Sequence, residues 1–379
     1  MVETGSLSLR YVDGAEIVIQ NIKPDDTFTK TIYVANTGTL DAMYNLIWQE
    51  LTNEIIKNEM LIKGTCTRIN GTTKEIDGTC EGVDSIIISN ENIKRKVTIE
   101  PNIVHKYDLT ITFKETNTDQ NYNQGKNFNG VIGIKETPRF EKDSWDTISN
   151  NVKNGNISIY KVGDTREVDL GDFGKHIVRL SNNTTSEECS TKGFSQTACG
   201  FVVEFEDIIT THIMNPNGEY DGKTYNYGWN FGGWPGSNLY SYLQNDIYEQ
   251  FPTDLKNIII DTRVISNYGS SDESNYTTDD KLYLLSPTEI YAGWEDVIYH
   301  DYDTSSDFTR LLDYYNNLGI TTKSYTKAFK RYNSVKTAWW LRSAHSYDYY
   351  DFYTVIRSGD LSDASAYGIC VISPAFRIG

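Results

Sequence analysis

Between Leu7 and about Pro138 apolar and polar residues alternate. Phe28, Ile32 and Val34 fall on one face of an extended chain and Thr29, Thr31 and Tyr33 on the other; Val97 and Ile99, then Leu109, Ile111 and Phe113, repeat the pattern. Successive side chains of a strand point to opposite faces, so this period of two predicts half-buried strands. Asn36-Thr37-Gly38 and Asn129-Gly130 supply turn chemistry between strands. Met43 to Asn53 is the one segment there without a clear period of two. The expectation for residues 1–140 is an all-β sandwich, Ig-like or jelly roll. Glu136 to Lys142 is polar, contains Pro138 and breaks the alternation, which places a domain boundary close to it.

Residues 141–379 change period. Trp145, Ile148 and Val152 recur at helical spacing, as do Leu239, Tyr242, Leu243 and Ile247, and Pro252 precedes a third, shorter helical pattern at Leu255, Ile258 and Ile259. Strand-like runs are read at Ile157–Val162, Arg166–Leu170, His176–Leu180, Phe201–Phe205 and Leu282–Leu285, and near the end at Trp339–Arg342, Phe352–Ile356 and Gly368–Ser373. The pattern predicts an α+β domain with its last strands near the end of the chain.

Composition narrows the function. The 379 residues include 27 Tyr, and 52 acidic residues against 35 basic ones give a net charge of -17. Such a field repels phosphate backbones and anionic lipid, which argues against a nucleic-acid partner. No apolar run of membrane-spanning length occurs, and Met1 to Leu9 lacks the basic and apolar regions of a signal peptide, so the expectation is a soluble, trimmed form with no direct membrane span.

Cys66 and Cys80 bracket one short Gly/Thr-rich stretch, and Cys189 and Cys199 bracket another. Each spacing suits a loop-closing disulfide, and two local pairs point to an oxidising, extracytoplasmic setting. Zinc is the competing reading, but the spacings are not CxxC and no His is near either pair in the chain. Cys370 is left over in an apolar run that reads as a buried strand. No cofactor or metal is expected.

Catalytic motifs are missing from the sequence. His105, His176, His212, His300 and His345 form no i, i+4 or HExxH arrangement, and no GxSxG, GxxxxGK[ST] or strand-linked GxGxxG occurs. A carboxylate pair for glycoside hydrolysis could arise in space, but surface acidity is the simpler account of so many Asp and Glu residues. The expectation is a protein that is not an enzyme.

His345 to Tyr367 stands out because it contains no Lys, Glu, Gln, Met or Trp, although all five occur elsewhere. The residues present are those encoded by codons ending in a pyrimidine with any first two bases, the mark that adenine-directed mutation of Asn codons would leave. Its Tyr, Ser, Asp and Gly content resembles a paratope, in which Tyr gives large amphipathic contact area at small rotamer cost.

Trp339-Trp340-Leu341-Arg342-Ser343-Ala344 before this segment and Ser373-Pro374-Ala375-Phe376-Arg377-Ile378 after it resemble the frame of the variable proteins of diversity-generating retroelements. These carry a C-type-lectin fold related to that of formylglycine-generating enzymes. Gly232-Gly233-Trp234, Phe251-Pro252 and Leu282-Tyr283-Leu284-Leu285-Ser286 look similar to that group too, so the resemblance spans roughly Asp143 to Gly379. It implies a rigid α+β scaffold with a hypervariable ligand-binding face. The implied variable positions are His345, Tyr347, Asp348, Tyr349, Tyr350, Asp351, Tyr353, Ser358, Asp360, Ser362, Asp363, Ser365 and Tyr367, with Phe352, Val355 and Ile356 facing the core. Formylglycine-generating enzymes use a cysteine pair in this region, whereas this chain has only Cys370, and the EPN or WND motifs of calcium-dependent lectins do not occur at the matching place.

Pro24-Asp25-Asp26 leading into Phe28–Val34, Asn36-Thr37-Gly38, and Asp119-Gln120-Asn121 before Gly125-Lys126 and Phe128 resemble camelysin and TasA-type matrix proteins over about Gly5 to Lys135. That likeness implies an exported β-sandwich of a Gram-positive surface, some relatives assembling into fibres by strand exchange. The combined expectation is a surface-displayed, adhesin-like receptor. Its partner would be a protein or glycan on another cell, phage or host surface. A structural matrix protein is the alternative, and an enzyme on the formylglycine-generating scaffold the less favoured one.

Overall fold

The computed structural model describes residues 8–13, 17–19, 22–220, 222–269, 274–294, 307–333, 335–346 and 348–379. Contacts group the chain into two compact units, Met1–Thr137 with Asn333–Val335, and Pro138–Tyr332 with Lys336–Gly379. The division at Thr137/Pro138 falls inside the polar stretch Glu136–Lys142.

The first unit is a β-sandwich. One sheet has the spatial order Leu9–Val12, Thr27–Asn36, Ile103–Phe113, Met60–Asn70, Ile76–Ile87; the other runs Ile17–Ile19, Phe128–Glu136, Ala42–Asn53, Asn92–Ile99. Ile103–Phe113 alternates without a break, so Ile103, His105, Tyr107, Leu109, Ile111 and Phe113 are buried while the residues between them are half-exposed. Ala42–Asn53 is an interior strand whose residues 44–48 are all buried, which explains why that segment carries no period of two.

Cys66 lies directly opposite Cys80 on the neighbouring strand, and the two form a disulfide with Cα atoms 4.9 Å apart. Cys189 and Cys199 form the second. No His is near Cys66 or Cys80 in the chain, yet strand pairing brings His105 beside them, with both sulfurs and a His105 ring nitrogen all within 4.8 Å of one another.

The second unit holds two five-stranded sheets. The first has the order Thr165–Asp169, Lys175–Asn182, Val202–Phe205, Ala375–Ile378, Ile259–Ile260; the second runs Thr210–His212, Cys370–Ile372, Trp339–Ala344, Asp351–Val355, Leu361–Ser365. Ser144 starts the helix Trp145–Lys153 by accepting the Thr147 N–H at 3.2 Å, and Ser237 does the same for Asn238–Tyr242 through the Tyr240 N–H. Two expected strands are absent. Ile157–Ile159 is a 3-10 turn, and Leu282–Leu285 makes only a single bridge, Tyr283 to Ala375. Leu282 to Leu285 are buried nonetheless, so burial alone produced the apolar run. No helix among the described residues is long and apolar enough to cross a membrane.

A charged cluster sits inside this unit. Fully buried Glu204 accepts from Arg179 at 2.8 Å, from Lys330 at 2.8 Å and from the Tyr315 hydroxyl at 2.8 Å. Burial by itself would raise the Glu204 pKa, but Lys330 and Arg179 overcome it and hold the carboxyl at about 2. A carboxylate with a depressed folded pKa contributes stability that is present above its unfolded value, here 4.5, and is lost as pH falls toward 2. Glu204→Ala leaves buried Lys330 without its carboxylate and Arg179 with only Glu206, 4.0 Å away, and is expected to destabilise the second unit by about 3–5 kcal/mol, read by chemical unfolding. In the wild type, unfolding midpoints should fall between pH 4.5 and 2. A neutral effect of Glu204→Ala would contradict the role assigned to the cluster.

Candidate ligand-binding face

The strand Trp339–Ala344 is buried along its whole length. It pairs with Asp351–Val355 through Trp339↔Val355, Trp340↔Thr354 and Ala344↔Phe352. Asp351–Val355 in turn pairs with Leu361–Ser365, placing Asp351 opposite Ser365 and Tyr353 opposite Asp363. Residues 351–365 therefore form the outer hairpin of a sheet, with the described residues among 345–350 at one end. The turn between the two strands requires glycine at Gly359, where φ is +90° and a Cβ would lie 2.2 Å from the Tyr325 carbonyl oxygen.

Neighbouring residues hold this hairpin chiefly by its main chain. Buried Asn230 sets its side-chain amide within hydrogen-bonding distance of three carbonyls, those of His345 (2.7 Å), Asp348 (2.5 Å) and Asp351 (3.0 Å), and donates its own N–H to the Tyr349 carbonyl at 2.9 Å. Ala366 N–H donates to the Tyr350 carbonyl at 2.7 Å, Asn215 N–H to the Ala366 carbonyl at 2.9 Å, and Tyr367 N–H to the Tyr227 carbonyl at 3.0 Å. None of these bonds uses a side chain from within the segment, so its side chains can change without altering them. Some side chains of the segment do bond to main chain: Ser365 Oγ donates to the Tyr227 carbonyl at 2.6 Å, His345 Nδ1 accepts the Asp348 N–H at 3.1 Å and Asp360 Oδ1 accepts the Leu361 N–H at 2.9 Å.

Of the expected contact residues, Tyr349, Ser358, Asp363 and Tyr367 are exposed, and Tyr349 and Tyr367 each keep 47% of their surface. His345, Asp348, Tyr350, Asp351, Asp360, Ser362 and Ser365 are half-buried. Tyr347 lies outside the described residues. Tyr353 is a correction: only 5% exposed, it packs edge-on to Trp294 at 5.4 Å and against the His345 ring at 5.3 Å, and acts as a floor for the face. Phe352 and Val355 are fully buried and Ile356 half-buried.

Residues outside the segment extend the face. Tyr225 and Phe231 contact the Tyr349 ring at 5.8 and 6.4 Å, and Tyr227 contacts Tyr350 at 6.1 Å. Lys223 to Gly228, Phe231 and Tyr349 line an open cleft of about 500 Å³. Sequence reasoning passed over this wall; its visible signal is the aromatic run Tyr225-Asn226-Tyr227-Gly228-Trp229-Asn230-Phe231. Aromatic rings joined to carboxylates and hydroxyls can supply apolar contact area and directional hydrogen bonds to a macromolecular ligand. Cys370, by contrast, is buried, and burial pushes its thiol up to about 12, far from a reactive thiolate.

Three carboxylates shape the charge of the face. Partial burial, reinforced by Asp363 and Asp348, raises the Asp351 pKa to about 7. The folded state thus holds a proton that the unfolded chain releases near 3.8, and this small contribution to stability is lost as pH rises from 3.8 through 7. Carboxyl-carbon NMR should find Asp351 titrating near pH 7, and Asp363→Asn, which removes the stronger of the two like-charge effects, should lower that midpoint. An unchanged midpoint would contradict the coupling.

Residues 206–379, which contain the hairpin, its frame and the aromatic run, match a family described as a domain of unknown function, DUF6273. No curated protein matches the chain.

Proposed function

We propose that the chain is a surface-displayed binding protein whose second unit, a C-type-lectin-like scaffold, presents residues 345–367 as a face diversified by a retroelement. The reading assigns the protein capture of a protein or glycan ligand rather than catalysis, with the β-sandwich as a spacer or surface module. The observation that carries it is the coincidence of two patterns on one segment. The stretch with codon-restricted composition is also the hairpin held mainly by main-chain hydrogen bonds, with Tyr349, Ser358, Asp363 and Tyr367 exposed on it. The two disulfides and the excess of acidic residues are compatible with an extracellular setting.

The test is to sequence the 3′ end of the gene and its flanking DNA across a population of the source. Substitutions confined to adenine-matched positions between Ala344 and Gly368, beside a near-identical template copy and a reverse-transcriptase gene, are expected. A uniform 3′ end without a template copy would remove the diversification claim and leave a face of fixed specificity.

A further inference from the structure

The first unit brings together three groups with metal-ligand chemistry, none of which belongs to the binding face. Cys66, Cys80 and His105 come from three adjacent strands of one sheet and place two sulfurs and a ring nitrogen within 4.8 Å of one another. The Tyr44 hydroxyl, from the opposite sheet, lies 2.9 Å from His105 Nδ1 and 2.9 Å from the Tyr107 hydroxyl. When Tyr44 donates to Tyr107, it accepts the Nδ1–H of His105, and Nε2 presents its lone pair. A hydrogen bond on the second ring nitrogen that fixes tautomer and orientation is the usual support of a metal-bound imidazole.

We infer that, once the Cys66–Cys80 disulfide is reduced, these two thiolates and His105 form a zinc site. Cys80 is half-buried on Ile76–Ile87, the edge strand of its sheet, which gives a reductant access. A dithiol delivers two electrons and two protons to the disulfide, becomes a disulfide itself and leaves two cysteine thiols. Zinc binding then displaces one proton from each thiol, forms two Zn–S bonds and one Zn–N bond, and leaves water in the fourth position. Tetrahedral zinc, with Zn–S near 2.3 Å and Zn–N near 2.0 Å, sets its ligand atoms about 3.5–3.8 Å apart. Opening the disulfide spreads the sulfurs toward that spacing, and the imidazole needs a shift of only about 1 Å. Thiolate and imidazole together favour zinc over hard cations such as calcium or magnesium. Among the described residues Cys189 and Cys199 have no such third ligand, so the inference is specific to one pair.

The experiment uses the full chain, reduced by a dithiol, desalted under argon and titrated with zinc alone, with cobalt(II) as the spectroscopic probe. One equivalent of zinc should bind to the reduced chain and none to the oxidised chain, and cobalt should give thiolate charge-transfer and tetrahedral d–d bands. Cys80→Ser should abolish the charge-transfer pattern of a two-thiolate site and weaken zinc binding at least 100-fold. His105→Gln should weaken it at least 10-fold, and the double variant Cys189→Ser/Cys199→Ser should bind as the wild type does. Circular dichroism follows the sandwich throughout. Absent uptake by the folded, reduced chain would overturn the inference, as would full uptake by Cys80→Ser. So would a reduced chain that loses its β signal and does not regain it with zinc.

Discussion

The second unit is organised around a buried arginine. Arg342 and Glu289 are both fully buried and meet through two hydrogen bonds of 2.7 and 2.8 Å, a paired geometry that offsets the desolvation of both charges. Arg342 also donates to the carbonyls of Ile265 and Leu284 through its side chain and to that of Leu285 through its main chain. It thereby satisfies a segment, residues 282–285, that is buried without strand partners beyond one bridge. Glu289 is fixed in turn, accepting the Ser286 N–H at 2.9 Å and the Thr309 hydroxyl at 3.0 Å. One charged side chain thus anchors the strand Trp339–Ala344 from within, and the hairpin 351–365 is built outward from that strand.

This arrangement separates holding from displaying. Apolar and charged groups inside the unit fix the strand Trp339–Ala344, whereas Asn230, Asn215 and Tyr227 reach the outer hairpin mainly through its carbonyls and N–H groups. A surface supported in that way tolerates side-chain replacement where a jigsaw core would not. The tolerance has limits set by particular residues. Gly359 occupies a backbone conformation that other residues rarely adopt, Phe352 and Val355 face the core, and Tyr353 fills the space beneath His345. The aromatic wall from Tyr225 to Phe231 lies outside the segment, so any ligand in the cleft would meet that wall on one side and Tyr349 of the segment on the other.

Much of this was legible in the sequence wherever one face of an element is buried and the other wet. Thr27–Asn36 and Ile103–Phe113 show their period of two because they are such strands. Ala42–Asn53 hid its period because the middle of the strand is buried on both faces, and Leu282–Leu285 imitated a strand because it is buried without being paired. Tyr353 reads as a contact residue in sequence because it lies in a tyrosine-rich run, but Trp294, 59 positions earlier in the chain, packs edge-on to it. The juxtaposition of His105 with Cys66 and Cys80 depends on strand order, which local patterns do not encode. The clamp by Asn230 was hidden for the same reason, since its partners are more than 100 residues away in the chain.

The central claim is that side chains on the outer hairpin are free while its main-chain support is not. The most direct test is a saturation-mutagenesis scan of positions 215–379 in the full chain, displayed on a cell surface and sorted for folded protein with a conformation-specific binder to the second unit. The account predicts near-wild-type folding for most substitutions at Asp348, Tyr349, Ser358, Asp363 and Tyr367, and loss of folding at Asn230, Arg342, Phe352, Val355 and Gly359. Equal sensitivity in the two groups, or free substitution of Asn230, would contradict it.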